Sequence, residues 1–167
     1  SSKDEAHAIN LYAKWQAKDF TITYYQNHSA SDTVANAKTD YVFDSEQTIN
    51  YTYTKNGYYF NGWATTRNGS VQYHNGDVVK TVITTYPANG NINLYAIWAE
   101  NTYELTFTSG VGIGNDQKYE NIKYETGSVK IPDEGFTLKG HTLVSFTSGS
   151  VTYNKGVNVT AKTFAQD

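Results

Sequence analysis

The heptad Ile9-Asn10-Leu11-Tyr12-Ala13-Lys14-Trp15 returns as Ile92-Asn93-Leu94-Tyr95-Ala96-Ile97-Trp98, identical at six of seven positions and displaced by 83 residues. A period of this kind constrains the fold before any single motif does, because each repeat must be one supersecondary unit stacked on its neighbours. The offset persists downstream. Phe20-Thr21-Ile22-Thr23-Tyr24 corresponds to Tyr103-Glu104-Leu105-Thr106-Phe107, and Gly57 to Trp63 corresponds to Gly140 to Phe146. Ser70-Val71-Gln72-Tyr73 and Gly76 then match Ser150-Val151-Thr152-Tyr153 and Gly156 at an offset of 80, three residues having been lost in the intervening loop, where losses are tolerated. Residues 1–18 therefore read as the terminal strand of a preceding repeat, 19–100 as a complete module and 101–167 as a degenerate, C-terminally incomplete one. The last module's own Leu-Tyr-Ala-x-Trp strand is expected near positions 175–181.

The local pattern within each unit is extended. Phe20, Ile22 and Tyr24 alternate with Thr21 and Thr23, the period of a half-buried strand. Leu11, Ala13 and Trp15 share one face of their segment, and Ile49, Tyr51 and Tyr53 alternate with polar neighbours between Thr48 and Thr54. Asn56-Gly57, Asn68-Gly69, Asn75-Gly76 and Asn89-Gly90 punctuate these runs with residues that tolerate positive φ. Between Ser31 and Asp40 the sequence offers a loop or a helical turn with Asp32 as N-cap. Tyr, Thr, Val, Ile and Phe suit pleated, half-buried surfaces, and no long Ala/Leu/Glu/Lys tract of period 3.6 occurs. The expected class is mainly β with little helix.

Charge and composition exclude several functions. A net charge of -3 and a single arginine, Arg67, provide no basic face for phosphates, so nucleic acid is disfavoured. No apolar run approaches the roughly 18 residues that a spanning helix needs, so no membrane insertion is expected. Cysteine is absent, which removes disulfides, thiolate metal sites and thiol nucleophiles. With abundant Thr, Asn, Gly and Tyr, this composition fits an exported bacterial surface protein.

The run Gly-Tyr-Tyr-Phe-Asn-Gly-Trp at 57–63, followed by Asn-Ile-Asn-Leu-Tyr-Ala-Ile-Trp at 91–98, resembles the Listeria–Bacteroides repeat, related to the B repeats of internalin-type bacterial surface proteins. The middle unit carries all three landmarks of that family: the opening strand, the Gly-Tyr-x-Phe-x-Gly-Trp centre and the closing Leu-Tyr-Ala-x-Trp. It is longer than the usual family member, around 27–45 and 80–91. The last unit keeps Gly140 and has Phe146 in place of the tryptophan. The resemblance implies small β-grasp-like modules in extracellular arrays, on the cell wall or secreted, with spacing, adhesion or partner binding as their role and no catalysis. Partners would be a host or cell-surface protein or a polysaccharide.

Candidate sites are sparse. Gly110-Val111-Gly112-Ile113-Gly114 lacks both the spacing and the following helix of a phosphate loop and reads as a turn. His7, His28, His74 and His141 show no paired ligand spacing, and Asp32, Asp40, Asp44 and Glu46 match no calcium-loop pattern. No nucleophile elbow is present, and no cofactor is implied. Trp15, Trp63 and Trp98 are expected in cores, since large aromatics fill small modules economically. The tyrosines exceed what one core needs. Tyr24, Tyr25, Tyr58, Tyr59, Tyr73 and Tyr86 are therefore the candidate recognition residues, suited to protein or polysaccharide. Leu11, Ala13 and Trp15 are candidates for strand complementation, within one chain or head-to-tail between chains through residues 9–15. The leading reading is a non-catalytic stalk and adhesion segment. The alternatives are a carbohydrate-binding accessory module of a polysaccharide-degrading system, or part of an enzyme whose active site lies elsewhere.

Overall fold

Alternation becomes pairing in the computed structural model, which describes residues 9–32, 35 and 37–165. The first unit contains β1 (Asp19–Tyr25), β2 (Ala37–Val42), β3 (Tyr58–Ala64), the single-turn helix α1 (Val79–Val82) and β4 (Asn91–Glu100). Its four strands form one sheet in the order β2-β1-β4-β3. The central pair β1/β4 is parallel, with Ile22 opposite Ile92 and Tyr24 opposite Leu94, and both flanking pairs are antiparallel. This is a β-grasp-like strand order. The chain between β2 and β3 forms no helix.

Period-2 geometry sends Phe20, Ile22 and Tyr24 to the same face as Leu94 and Ala96, and all five are buried. Trp63 lies across them with its ring 4.9 Å from those of Tyr24 and Phe60, and its indole N–H donates to Asn75 Oδ1 at 3.0 Å. The buried hydroxyls of Tyr24 and Tyr41 share a hydrogen bond of 2.9 Å. Without it each would carry the desolvation cost of an unpaired polar group. Gly62 (φ 140) sits at a β-bulge between Phe60 and Trp63, and a side chain there would strike Val71 and the Tyr73 carbonyl. The glycine in the Gly-Trp landmark thus lets the chain cross close behind β3.

The second unit contains β5 (Thr102–Phe107), β6 (Gln117–Lys123), β7 (Ser128–Lys130), β8 (Ser145–Ser148), β9 (Val151–Asn154), β10 (Asn158–Thr160) and a terminal helical turn α2 (Ala161–Phe164). These strands pair as three separate two-stranded sheets, β5-β6, β8-β9 and β7-β10, around a core of Phe107, Ile122, Val129, Ile131, Phe136 and Ala161. Its internal contacts parallel those of the first unit. Ile49 N–H donates to Asp77 O and its carbonyl accepts from Gly76 N–H; Ile131 does the same with Val157 and Gly156. Trp63 bridges Tyr73, and Phe146 pairs with Tyr153. Val79 and Ala161, both fully buried, open the two helical turns. Phe146 fills the tryptophan's place by packing on Phe107 and Phe136 at 4.9 and 5.5 Å.

Four expectations are corrected. Residues 9–18 form no strand, and Leu11 and Trp15 are 91% and 93% exposed; Ala13 beside them is exposed as well. Trp15 is therefore not a core residue in the single chain, because no neighbouring strand covers it. Ala37–Val42 is a strand rather than a loop or helical turn, its polar residues being tolerated at the sheet edge. Asp32 caps no helix; it accepts the backbone N–H groups of His28 and Ser29 and closes a turn. Ile49, Tyr51 and Tyr53 do alternate in burial, yet beyond the Thr48–Val78 bridge their segment joins no sheet.

Candidate functional site

Three surfaces emerge, and the six candidate tyrosines are divided between two of them and the core. Tyr24 is fully buried; burial first, and then the Tyr41 hydroxyl, raises its pKa, so it is a neutral core phenol out of reach of a ligand. Tyr73 lies against the core beside Trp63. Tyr86 covers Phe43 edge-on and donates to Asp19 O at 2.7 Å. The recognition cluster drawn from sequence is thus not one surface, because neighbouring tyrosines in a strand point to opposite faces.

The first surface is the outer face of the four-stranded sheet. Tyr25 stacks on Tyr95 with centroids 4.7 Å apart and planes 18° from parallel. Arg67 places its guanidinium 5.2 Å from the centre of the Tyr95 ring and is held by the carbonyls of Ser29 and Asp32 and by Asn27 Oδ1. Asn27, at φ 53, in turn donates to Arg67 O and Ala96 O, both at 2.9 Å. Tyr59, 53% exposed, lies opposite Ala99 on the same face, about 13 Å along β4 from Tyr95 at strand rise. Neither Tyr95 nor Arg67 was singled out from sequence. The usable signal was alternation around Leu94 and Ala96, which turns Tyr95 outward.

The second surface is the junction between units. Asn101 alone connects β4 to β5, and both of its backbone groups are tied: its N–H donates to Gly57 O at 2.9 Å and its carbonyl accepts from Tyr124 N–H at 3.1 Å. Glu100 accepts the backbone N–H groups of Glu125 and Thr126 at 2.8 and 3.0 Å and the Thr126 hydroxyl at 2.9 Å. Glu125 accepts from the Tyr58 hydroxyl at 2.6 Å and pairs with Lys162 at 2.9 Å. Tyr58 meets Tyr124 edge-on at 5.9 Å, and Tyr124 is itself buried. The Thr126 amide, before the other donors, holds the Glu100 carboxyl below its ordinary value, and the Tyr58 hydroxyl does the same for Glu125. Burial first, and then Glu125, raises the pKa of Tyr58. Tyr58 therefore serves the contact between units.

The third is a cleft of about 530 Å³ in the second unit, between β5 and β8, with Leu105, Phe107, Leu143 and Phe146 in its walls.

Among the described residues no three His, Asp or Glu side chains gather to hold a metal. Asp40 accepts from Thr21, Glu46 pairs with Lys80, and Asp32 closes its turn. His28 tilts against Trp98 at 5.4 Å, His74 and His141 lie in turns, and His7 falls outside the described residues. The Gly110–Gly114 segment is a turn closed by the Ile113–Thr137 bridge. No helix among the described residues is long and apolar enough to cross a membrane.

Two of the relatives found by comparison with known proteins come from Evansella cellulosilytica. One, provisionally named a membrane protein, is 31% identical over 101 residues, covering 59% of this chain and 14% of its own length. The other, provisionally named a Gly-rich membrane protein, is 31% identical over 110 residues, covering 64% of this chain and 12% of its own length. The chain thus spans only about one seventh or less of these relatives. No family model matches the chain, and no solved structure matches it significantly.

Proposed function

We propose that this chain is a non-catalytic segment of an extracellular bacterial surface or secreted protein, in which tandem units act as a stalk and adhesion module. The observation that carries the reading is the junction. A linker of one residue, hydrogen-bonded to both units and flanked by the Glu100 and Glu125 contacts, leaves little freedom between them, which is what a spacer requires. Single exposed ion pairs contribute little. Here the charged groups surround the buried Tyr124 ring and two backbone bonds, and the set acts together. The internal likeness of the units and the small share of long relatives that they cover support the same reading. Small-angle scattering on dilute chain tests it. A single rigid arrangement of the two units is expected, with a measurable increase in flexibility for the double variant Glu100→Ala/Glu125→Ala. Wild-type scattering that only a freely jointed pair can fit refutes the stalk.

A second reading, a carbohydrate-binding accessory module, is favoured by the near-parallel Tyr25–Tyr95 pair, whose planar apolar surface carries hydroxyls and a neighbouring guanidinium. Affinity electrophoresis against a polysaccharide panel decides it: retardation by one glycan, lost in Tyr25→Ala and Tyr95→Ala, establishes binding at this face. No retardation removes it.

A further inference from the structure

We infer that the outer edge of β2 is a self-association site, and that its partner is the same edge of a second copy of this chain.

The register of β2 decides which of its backbone groups face outward. Phe43 N–H donates to Lys18 O. In the antiparallel ladder with β1, the backbone groups of Tyr41, Thr39 and Ala37 therefore turn inward, and those of Val42, Asp40 and Lys38 turn away from the sheet. Val42 N–H meets a side chain there, donating to Gln47 Oε1 at 2.7 Å. Among the described residues no strand lies beyond β2, and Lys38, Thr39 and Asp40 are all exposed. The pairing with β1 runs through six consecutive residues without a bulge. Such a regular, open edge is the kind that accepts another strand.

The side chains select the partner. Edge charges ordinarily keep strands apart. Here they alternate as Lys38-Thr39-Asp40. An antiparallel copy centred on Thr39 sets Lys38 opposite the partner's Asp40, and Asp40 opposite the partner's Lys38. Centring on Lys38 or on Asp40 sets like charges opposite each other, which is destabilising. The charges thus admit one register and reject its neighbours. In that register Lys38 and the partner's Asp40 form a hydrogen-bonded pair that exchanges both outward N–H and C=O groups. Gln47 ends the pairing by capping Val42 N–H. Val42, 40% exposed, lies diagonal to the partner's Lys38, whose alkyl stem covers it. The two sheets become one across a twofold axis, an isologous contact that closes at the dimer.

The second unit supplies a contrast. Leu105 faces Tyr119 as Ile22 faces Thr39, so Lys118-Tyr119-Glu120 of β6 stands where Lys38-Thr39-Asp40 stands in β2. That edge is blunted. Lys118 is held by Glu104 and Glu120 at 2.8 Å each, and the ladder shifts register beside Asn121, whose φ is 57, a bulge of the kind that interrupts pairing. In β2 there is no bulge, and Asp40 accepts the Thr21 hydroxyl at 2.7 Å.

Contacts between units leave this edge free. In the second unit they fall on Tyr124, Glu125 and Thr126, beyond the end of β6. A unit set before the first in the same way would meet residues 43–45, beyond Val42. The edge is therefore open with or without neighbouring units. The contact also stands apart from the stalk reading, since a loose junction would leave it unchanged.

Sedimentation of the full chain, from low micromolar to near-millimolar concentration, tests the site. A monomer–dimer equilibrium is expected for the wild type. Lys38→Asp and Asp40→Lys should each keep the wild-type circular dichroism and weaken association by more than about tenfold, because like charges then face each other on both sides of the axis. An equimolar mixture of the two variants should associate as the wild type does, and so should the double variant Lys38→Asp/Asp40→Lys, since both restore unlike pairs. The chain has no cysteine, so Thr39→Cys checks the axis. As a non-hydrogen-bonded pair its two Cα atoms would stand about 4.5 Å apart, within disulfide reach. Oxidation should give a covalent dimer far faster than for Asn93→Cys, which is exposed on the same sheet. A wild type that is monomeric at every concentration, association untouched by Lys38→Asp, or a mixture no better than its components would each overturn the inference.

Discussion

The three tryptophans show how far a residue's role depends on its neighbours. Trp63 is fully enclosed, Trp98 is half-buried with its N–H satisfied, and Trp15 is in solvent. Trp63→Ala is expected to destabilise the first unit by about 3–5 kcal/mol, whereas Trp15→Ala should change dilute-chain stability by less than about 0.5 kcal/mol. Urea unfolding followed by circular dichroism checks both; equal effects would mean that residues 9–15 are packed in the monomer. Tyr24→Phe should cost about 1–3 kcal/mol, since it leaves the Tyr41 hydroxyl without its buried partner. The same titration reads it. Alternation puts Tyr24 on the face of Phe20 and Ile22, yet its full burial overturns the expectation that it is a recognition residue. Nothing local revealed that Tyr58 would turn toward another unit, since its partner Glu125 lies 67 residues further on.

At the scale of elements, strands with apolar alternation were readable and the polar edge strand was not. Lys38, Thr39 and Asp40 are strand residues because β1 presents an edge to pair with, an attraction that composition does not record. The Asn56-Gly57 turn is a contrary case, where sequence located both the turn and its conformation: Gly57 has φ 77. What tertiary structure adds is Tyr124, whose ring occupies the space that a side chain at position 57 would need. Gly57→Ala is therefore expected to destabilise by more than about 1 kcal/mol, the scale for alanine at incompatible φ, and to displace Tyr124. Thermal unfolding and the tyrosine near-ultraviolet circular dichroism would show it; an unaltered tyrosine signal would mean that the ring does not pack there.

At the scale of the whole molecule, two cores meet through a few polar groups, so their relative order should depend on pH. Glu100 and Glu125 are both held below the ordinary glutamate value of 4.5, the first chiefly by the Thr126 amide and the second chiefly by the Tyr58 hydroxyl. A carboxyl with a depressed folded pKa stabilises above its unfolded value and loses that contribution as pH falls through the folded one. The junction should thus be unchanged from neutral pH down to about the ordinary glutamate value, and loosen below it while both cores persist. Amide exchange at Thr126, compared with that at Ile22 and Ile131, measures this. Loss of protection at all three together would place the pH sensitivity in the cores instead.

The sequence by itself determined the extended class, the faces of the alternating strands and the Asn-Gly turns, because these follow from side-chain periodicity and backbone sterics within a few residues. Only tertiary structure decided which alternating segments become strands. Two nearly identical heptads make the point: Ile92–Trp98 lies within the long strand β4, held between β1 and β3, and Ile9–Trp15 lies in solvent. A strand's hydrogen bonds and half of its burial come from its neighbours, so the same residues fold or stay open according to the edges within their reach.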